Sequence, residues 1–265
     1  MPRRQWMLSV WLVVGLLLVG WLLHTPPGLL GKADAVGYAF CHRIDLRSFH
    51  LGERPLPLCA RCSGMYLGAL LTVAYQAVLA PRRGGEPKGF FIGLMGFFAL
   101  MFVVDGVNSF LSFFPGLSLL YMPQNWTRLV SGTGMGITMG MILYPVFNQT
   151  VWRDWEAESP LRSWRHLTGL LVLAAVLDLC LLSENPLILY PLALLSVMGV
   201  LLILTMVYTL VWLMVCRSEN RFERPAQLLL PLSGGFGTSM LQVVLMDMGR
   251  YLLTNTWQGF SITFG

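Results

Sequence analysis

The stretch LILYPLALLSVMGVLLILTMVYTLVWLMVC, residues 187–216, contains no Asp, Glu, Lys or Arg. About 20 mostly apolar residues are enough for a helix to cross the hydrocarbon core of a bilayer, and this run exceeds that length. Outward from it, six more apolar runs occur at about 6–23, 61–80, 90–114, 127–147, 167–183 and 226–253. None has the ten-residue alternation of an outer-membrane barrel. Over all 265 residues, 55% are hydrophobic and 12% charged, with a mean hydropathy of +0.65. Soluble domains carry about 25% charged residues. The expectation is an all-α, polytopic transmembrane helical bundle of about seven spans. Residues 1–265 form one transmembrane domain in the cell membrane, multi-pass, in contact with the lipid bilayer. The net charge of +5 needs no nucleic acid, because basic cytoplasmic loops account for it.

The first run resembles a signal peptide, with Pro2-Arg3-Arg4 ahead of it and Ala33-Asp34-Ala35 as a small-residue cleavage pattern. Its apolar core, Met7 to Leu23, is 17 residues long, beyond the roughly 7–15 of a signal core. An uncleaved anchor is therefore expected. Orientation follows from the enrichment of Lys and Arg in cytoplasmic loops. Arg3 and Arg4, then Arg82, Arg83 and Lys88, then Arg153, Arg162 and Arg165, then Arg217, Arg221 and Arg224 fall on one side of a seven-span chain. The connections around 115–125 and 184–186 carry no Lys or Arg. The N-terminus is thus expected inside and the C-terminus outside.

One segment breaks that pattern. Residues 24–60, placed outside, carry Lys32, Arg43, Arg47 and Arg54, with Arg61 opening the next span. Cations where topology disfavours them point to an anionic ligand, a lipid headgroup or a phosphate. The segment is rich in Pro and Gly, and a short re-entrant or interfacial helix is expected around 33–45. It also holds Cys41-His42 and, sixteen residues on, Cys59-x-x-Cys62. Soft thiolates with an imidazole suit Zn²⁺ or another soft transition metal, so Cys41, His42, Cys59 and Cys62 are candidate ligands. The same C-x-x-C can cycle as a redox dithiol, form a static disulfide, or simply pack. Cys180, near the outer end of span five, could come close; Cys216 falls on the cytoplasmic side.

Intramembrane charges are expensive and face a cavity or a partner. Asp105, Arg128, Asp178, Glu184, Asp247 and Arg250 all fall in the outer half when depth is reckoned at about 1.5 Å per residue. This predicts an outward-facing polar cavity roofed by residues 41–62. Structural ion pairs, Asp105 with Arg128 and Asp247 with Arg250, are the alternative. In the cavity reading Arg47, Arg61, Asn125 and Arg128 bind the anion, and Asp105 is a general base or an orienting group. Gly64-x-x-x-Gly68 and Gly132, Gly136 and Gly140 are small-residue packing signals. Ser233-Gly234-Gly235-Phe236-Gly237 marks a helix break or a close contact.

The block CHR…RSF…G-x-R-P-L-P-L-C-A-R-C-S-G-x-Y-L-G resembles the hallmark of a prokaryotic membrane-protein family, number 2085 among the domains of unknown function. The resemblance extends over roughly 38–145, including Asp105-Gly106 and Asn125…Arg128…Gly132. It implies Cys41, His42, Arg47, Cys59, Arg61, Cys62 and Gly64 as motif positions, and no established reaction.

Three functions compete. One is an outer-leaflet metalloprotein acting on an anionic lipid or phosphate-bearing substrate. Another is a thiol–disulfide or quinone-linked redox protein using Cys59 and Cys62. The third is a non-enzymatic subunit of a membrane complex, or a transporter; sparse polar groups in the inner half argue against transport. The topology itself is testable by fusion. Alkaline phosphatase joined at Asn185 is expected to be active, and joined at Gly85 inactive.

Overall fold

A computed structural model describes residues 2–114 and 120–259, with the side chains of residues 2–6 outside that description. Eight α-helices are present among the described residues: α1 Pro2–His24, α2 Leu29–Phe40, α3 Ala60–Leu79, α4 Gly89–Leu111, α5 Asn125–Val151, α6 Trp164–Leu182, α7 Pro186–Val215 and α8 Leu229–Thr254. All but α2 are long and apolar enough to cross a membrane. Each of the seven predicted runs coincides with one of them. Their lipid-facing sides are rich in exposed Leu, Val, Phe and Met, as expected where the solvent is hydrocarbon.

The short helix lies at 29–40, not 33–45. Cys41 is extended (φ −125°, ψ 142°) and its N–H reaches the Gly37 carbonyl. Its sulfur accepts from the N–H groups of Arg43 and Cys59, at 3.4 and 3.3 Å. Those bonds need non-helical backbone after Phe40, so α2 stops there. The chain then makes a 3₁₀ turn, Asp45–Arg47, and a two-stranded hairpin, β1 His50–Leu51 with β2 Arg54–Pro55. Gly52 (φ +67°) turns that hairpin. Cys59 then caps α3.

The central contact is between α3 and α5. A Cβ added at Gly64 would lie 2.8 Å from Thr133 Oγ1, and one at Gly68 2.8 Å from the Thr133 carbonyl. Across the seam, Gly132 abuts the Arg61 carbonyl and Gly136 the backbone of Met65 and Ala69. The two glycine stripes inferred from sequence therefore face each other. The Ser233–Gly237 stretch stays helical within α8; Gly235 lies against Thr205 and Thr209 of α7 and Gly237 against Val14 of α1. It is a close contact, not a break.

Connections alternate between two ends. One, here the thiol end, carries residues 41–62, the start of α5 and the end of α8. The opposite end gathers the basic connections into ion pairs: Arg82–Asp154, Arg83–Glu156 (3.0 Å), Arg153–Glu223 (2.8 Å) and Arg162–Glu158 (2.9 Å).

Overpacking a close contact costs about 1–3 kcal/mol. Gly136→Leu, set against rigid backbone, is expected to lose about 3 kcal/mol in thermal unfolding of the detergent-solubilised chain. Gly15→Leu, where a Cβ meets nothing within 4 Å, is expected to leave the midpoint unchanged.

Candidate functional site

The turn Cys59-Ala60-Arg61-Cys62 opens α3, and its side chains part to two sides. Positions three apart share a helix face, so Cys59 and Cys62 turn together. The Sγ atoms of Cys41, Cys59 and Cys62 all lie within 4.8 Å of one another, and none is in a disulfide. Around them are Ala33, Val36, Leu58, Val197 and Val200, an apolar shell from α2, the connection before α3, and α7. Hydrogen bonds from the Cys41 and Cys62 thiols hold the Cys59 thiol well below its ordinary pKa, and Cys41 is pushed up to about 12 by its bond to Cys59. Three thiolates in an apolar shell need a cation between them. Zn–S bonds of about 2.3 Å in tetrahedral geometry put sulfurs about 3.8 Å apart, so the trio closes on such an ion with shifts of less than about 1 Å. The donor set fits a soft metal. His42, the fourth expected ligand, is exposed and outside this group. Cys180 is not part of it either.

Arg61 takes the other side. Its Nε donates to Asp105 Oδ2 at 2.9 Å, and its Nη2 reaches the same oxygen, the Asp105 carbonyl (3.1 Å) and Ser109 Oγ (2.9 Å). Ser131 donates to Asp105 Oδ2 at 3.1 Å, and Tyr121 donates to Oδ1 at 2.7 Å. The partner of Asp105 is therefore Arg61, not the Arg128 of the alternative ion-pair reading. Arg128, 6% exposed, bonds Ser109 Oγ at 3.4 Å and Asn125 Oδ1 at 3.0 Å. Arg47 bonds the Ser109 carbonyl at 2.8 Å and lies 3.8 Å from the Phe113 ring centre. Asn125 also donates to the Ser48 carbonyl, tying α5 to the loop.

Ser109 thus joins Arg47, Arg61 and Arg128 around a single carboxylate. Burial, then the charges of Arg128 and Arg61, push the Arg47 guanidinium down to about 10. Among the described residues, each of the three keeps at least one guanidinium nitrogen without a hydrogen-bond partner. The loop's remaining cations are engaged elsewhere: Arg43 (2.9 Å) and Arg54 with Asp34, and Lys32 with the Thr25 carbonyl at 2.9 Å.

A cleft of about 480 Å³ opens between α4 and α5 beside this network. Asp105, Tyr121 and Ser131 line its polar part; Met101, Met122, Trp126 and Val130 line its apolar part. Tyr121 is held there by Asn108, which donates to the Tyr121 carbonyl at 2.8 Å. Burial and the bond to Asp105 raise the Tyr121 phenol to about 12, so it remains a donor at neutral pH. Sequence reading missed Tyr121 and Ser131. Ser131 had a signal, one helical turn from Arg128 and next to Gly132; Tyr121, in a connection, had none.

The other intramembrane polar groups do not join this network. Asp178 accepts from Thr133 at 2.7 Å. Asp247 accepts from the Trp21 indole at 3.1 Å. Arg250 donates to the carbonyls of Tyr38 (2.6 Å), Cys41 (2.7 Å) and His42 (3.3 Å) and lies 3.9 Å from the Tyr38 ring centre. It caps the end of α2 and does not form the ion pair with Asp247 that was the alternative reading. Glu184 is exposed. The polar half is divided into separate networks.

Removing one partner of a buried pair leaves the other charge uncompensated, at about 3–5 kcal/mol. The Arg61 side chain is 20% exposed and that of Asp105 2%, so Asp105→Asn is expected to cost about 3 kcal/mol in detergent unfolding. Arg61→Met with Asp105→Leu is expected to cost less than the sum of the single variants.

No curated protein and no solved structure matches the chain. Residues 41–142, which hold the three thiols, the three arginines and Asp105, match the model of a family described as a predicted membrane protein, DUF2085, so the resemblance carried by the cysteine block holds over these residues.

Proposed function

We propose that this chain is an integral membrane metalloprotein that binds an anionic lipid headgroup or phosphate. Cys41, Cys59 and Cys62 hold Zn²⁺ or another soft transition metal, which fixes residues 41–62 over an anion site made by Arg47, Arg61 and Arg128. The observation that carries the reading is the convergence of three sulfurs within 4.8 Å on the same helical turn that sends Arg61 into the arginine cluster. The apolar shell around the thiols supports a holding role for the metal, and the exposure of His42 supports a three-thiolate set. Cys41 as third partner favours metal over a two-cysteine redox pair.

Three guanidiniums facing one carboxylate support an anionic ligand, since Arg recognises phosphate through paired N–H donors. Asn125 orients Arg128 and braces the loop. Asp105 accepts four side-chain hydrogen bonds on its two oxygens. That favours its orienting Arg61 over acting as a general base. The cleft between α4 and α5 supports entry of the ligand from the bilayer. In this reading the thiol end faces outside.

Protein purified in mild detergent without chelator is expected to carry about one metal ion per chain. Cys59→Ser/Cys62→Ser is expected to lose it, and His42→Ala to retain it. The metal is expected to leave on acidification, because thiolates are protonated as pH falls. Wild type free of metal after zinc-replete growth, with all its thiols titratable, would falsify the metal centre. Arg128→Gln, with metal retained, is expected to lower binding of inorganic phosphate or phosphatidylglycerol vesicles at least tenfold; binding equal to wild type would discard the anion site.

A further inference from the structure

The geometry points to a second lipid site at the opposite end of the bundle, independent of the metal and arginine clusters. An anionic glycerophospholipid sits there with an acyl chain between α1, α7 and α8 and its phosphate on Arg221. A cavity of about 730 Å³ lies among these three helices, within the roughly 300–1,000 Å³ of sites that enclose a small ligand. Its walls are apolar, from Trp11, Trp212, Leu229 and Leu230, and Ser218, Arg221 and Gln227 add polar groups.

Three observations select the occupant. First, the walls continue onto the lipid-facing surface: Trp11 is 48%, Trp212 46% and Leu229 59% exposed. The bilayer is therefore the adjoining reservoir, and a cavity with such walls favours hydrocarbon over water. Second, Arg221 is exposed and pairs with no acidic group among the described residues. At this end Arg82 is taken up by Asp154, Arg83 by Glu156 and Arg153 by Glu223; Arg165, Arg217 and Arg224 share the lack of an acidic partner among the described residues, and of these four unpaired arginines Arg221 is the one that lines the cavity. An unengaged guanidinium beside an apolar cavity complements a phosphate whose chains are apolar. Third, tryptophans of α1 and α7 sit at this helix-end level, where indoles favour the membrane interface. The Trp212 indole is fixed by a bond to Thr238 Oγ1 at 2.8 Å.

The test uses the full chain in mild detergent, incubated with an equimolar mixture of phosphatidylglycerol and phosphatidylethanolamine and read by native mass spectrometry. Wild type is expected to retain phosphatidylglycerol preferentially. Arg221→Gln is expected to cut that retention about fivefold, the worth of one basic side chain at an anionic surface. Arg217→Gln, on the same connection but off the cavity, is expected to leave it unchanged. Gly234→Leu, which fills the α8 wall, is expected to lower retention of both lipids. No preference in wild type, an unchanged Arg221→Gln, equal losses in the two arginine variants, or no effect of Gly234→Leu would each overturn the site.

Discussion

The close approach of α3 and α5 is the constraint on which the rest depends. Inside a bilayer, apolar side chains gain little by leaving lipid for each other, so helices associate through backbone proximity and interhelical polar contacts. Here Gly132 meets the Arg61 carbonyl and Gly136 the Met65 carbonyl. That approach fixes the rotation and depth of α3 relative to α5. Once they are fixed, Arg61 has Asp105 and Ser109 of α4 within reach, with Ser131 of α5 on the same carboxylate, and Cys59 and Cys62 turn toward Cys41. A side chain added on the seam would change both clusters together.

The two clusters solve opposite electrostatic problems. The thiols accumulate negative charge in an apolar shell and require a cation to ionise fully. The guanidiniums accumulate positive charge around one carboxylate, which in the proposed function an anion offsets. Arg61 links them, because its charge also helps lower the Cys59 thiol. Helices beyond residues 41–142 complete the support. Arg250 of α8 holds the carbonyls at the end of α2, which positions Cys41, and Val197 and Val200 of α7 pack around the sulfurs.

The unusual basic charge of residues 24–60 has a mixed explanation. Arg43 and Arg54 close on Asp34, and Lys32 turns back onto the Leu22 carbonyl of α1 and the Thr25 carbonyl just after it. Those contacts are structural. Arg47 and Arg61 alone among the five enter the polar network beside the cleft. Charge counted along the loop therefore overstated the part that faces the cleft.

Sequence alone determined the seven long helices, because a bilayer imposes a length and a polarity that any 20-residue window reveals. It also marked the glycine stripes as contact faces and offered Cys41, Cys59 and Cys62, with His42, as candidate ligands of one site, while leaving a redox pair, a disulfide or simple packing open; the structure brings the three sulfurs within 4.8 Å of one another. Pairing of the charges was not legible. Depth along a helix placed Asp105 near Arg128 and Asp247 near Arg250, but a side chain's partner depends on helix rotation, and 100° per residue turns neighbours to different sides. Tertiary structure alone decided that Asp105 meets Arg61, that Arg250 caps α2, and that His42 stays outside the thiols. It also decided where α2 ends, because the N–H groups bonded to the Cys41 sulfur come from a bend and from a residue eighteen positions away.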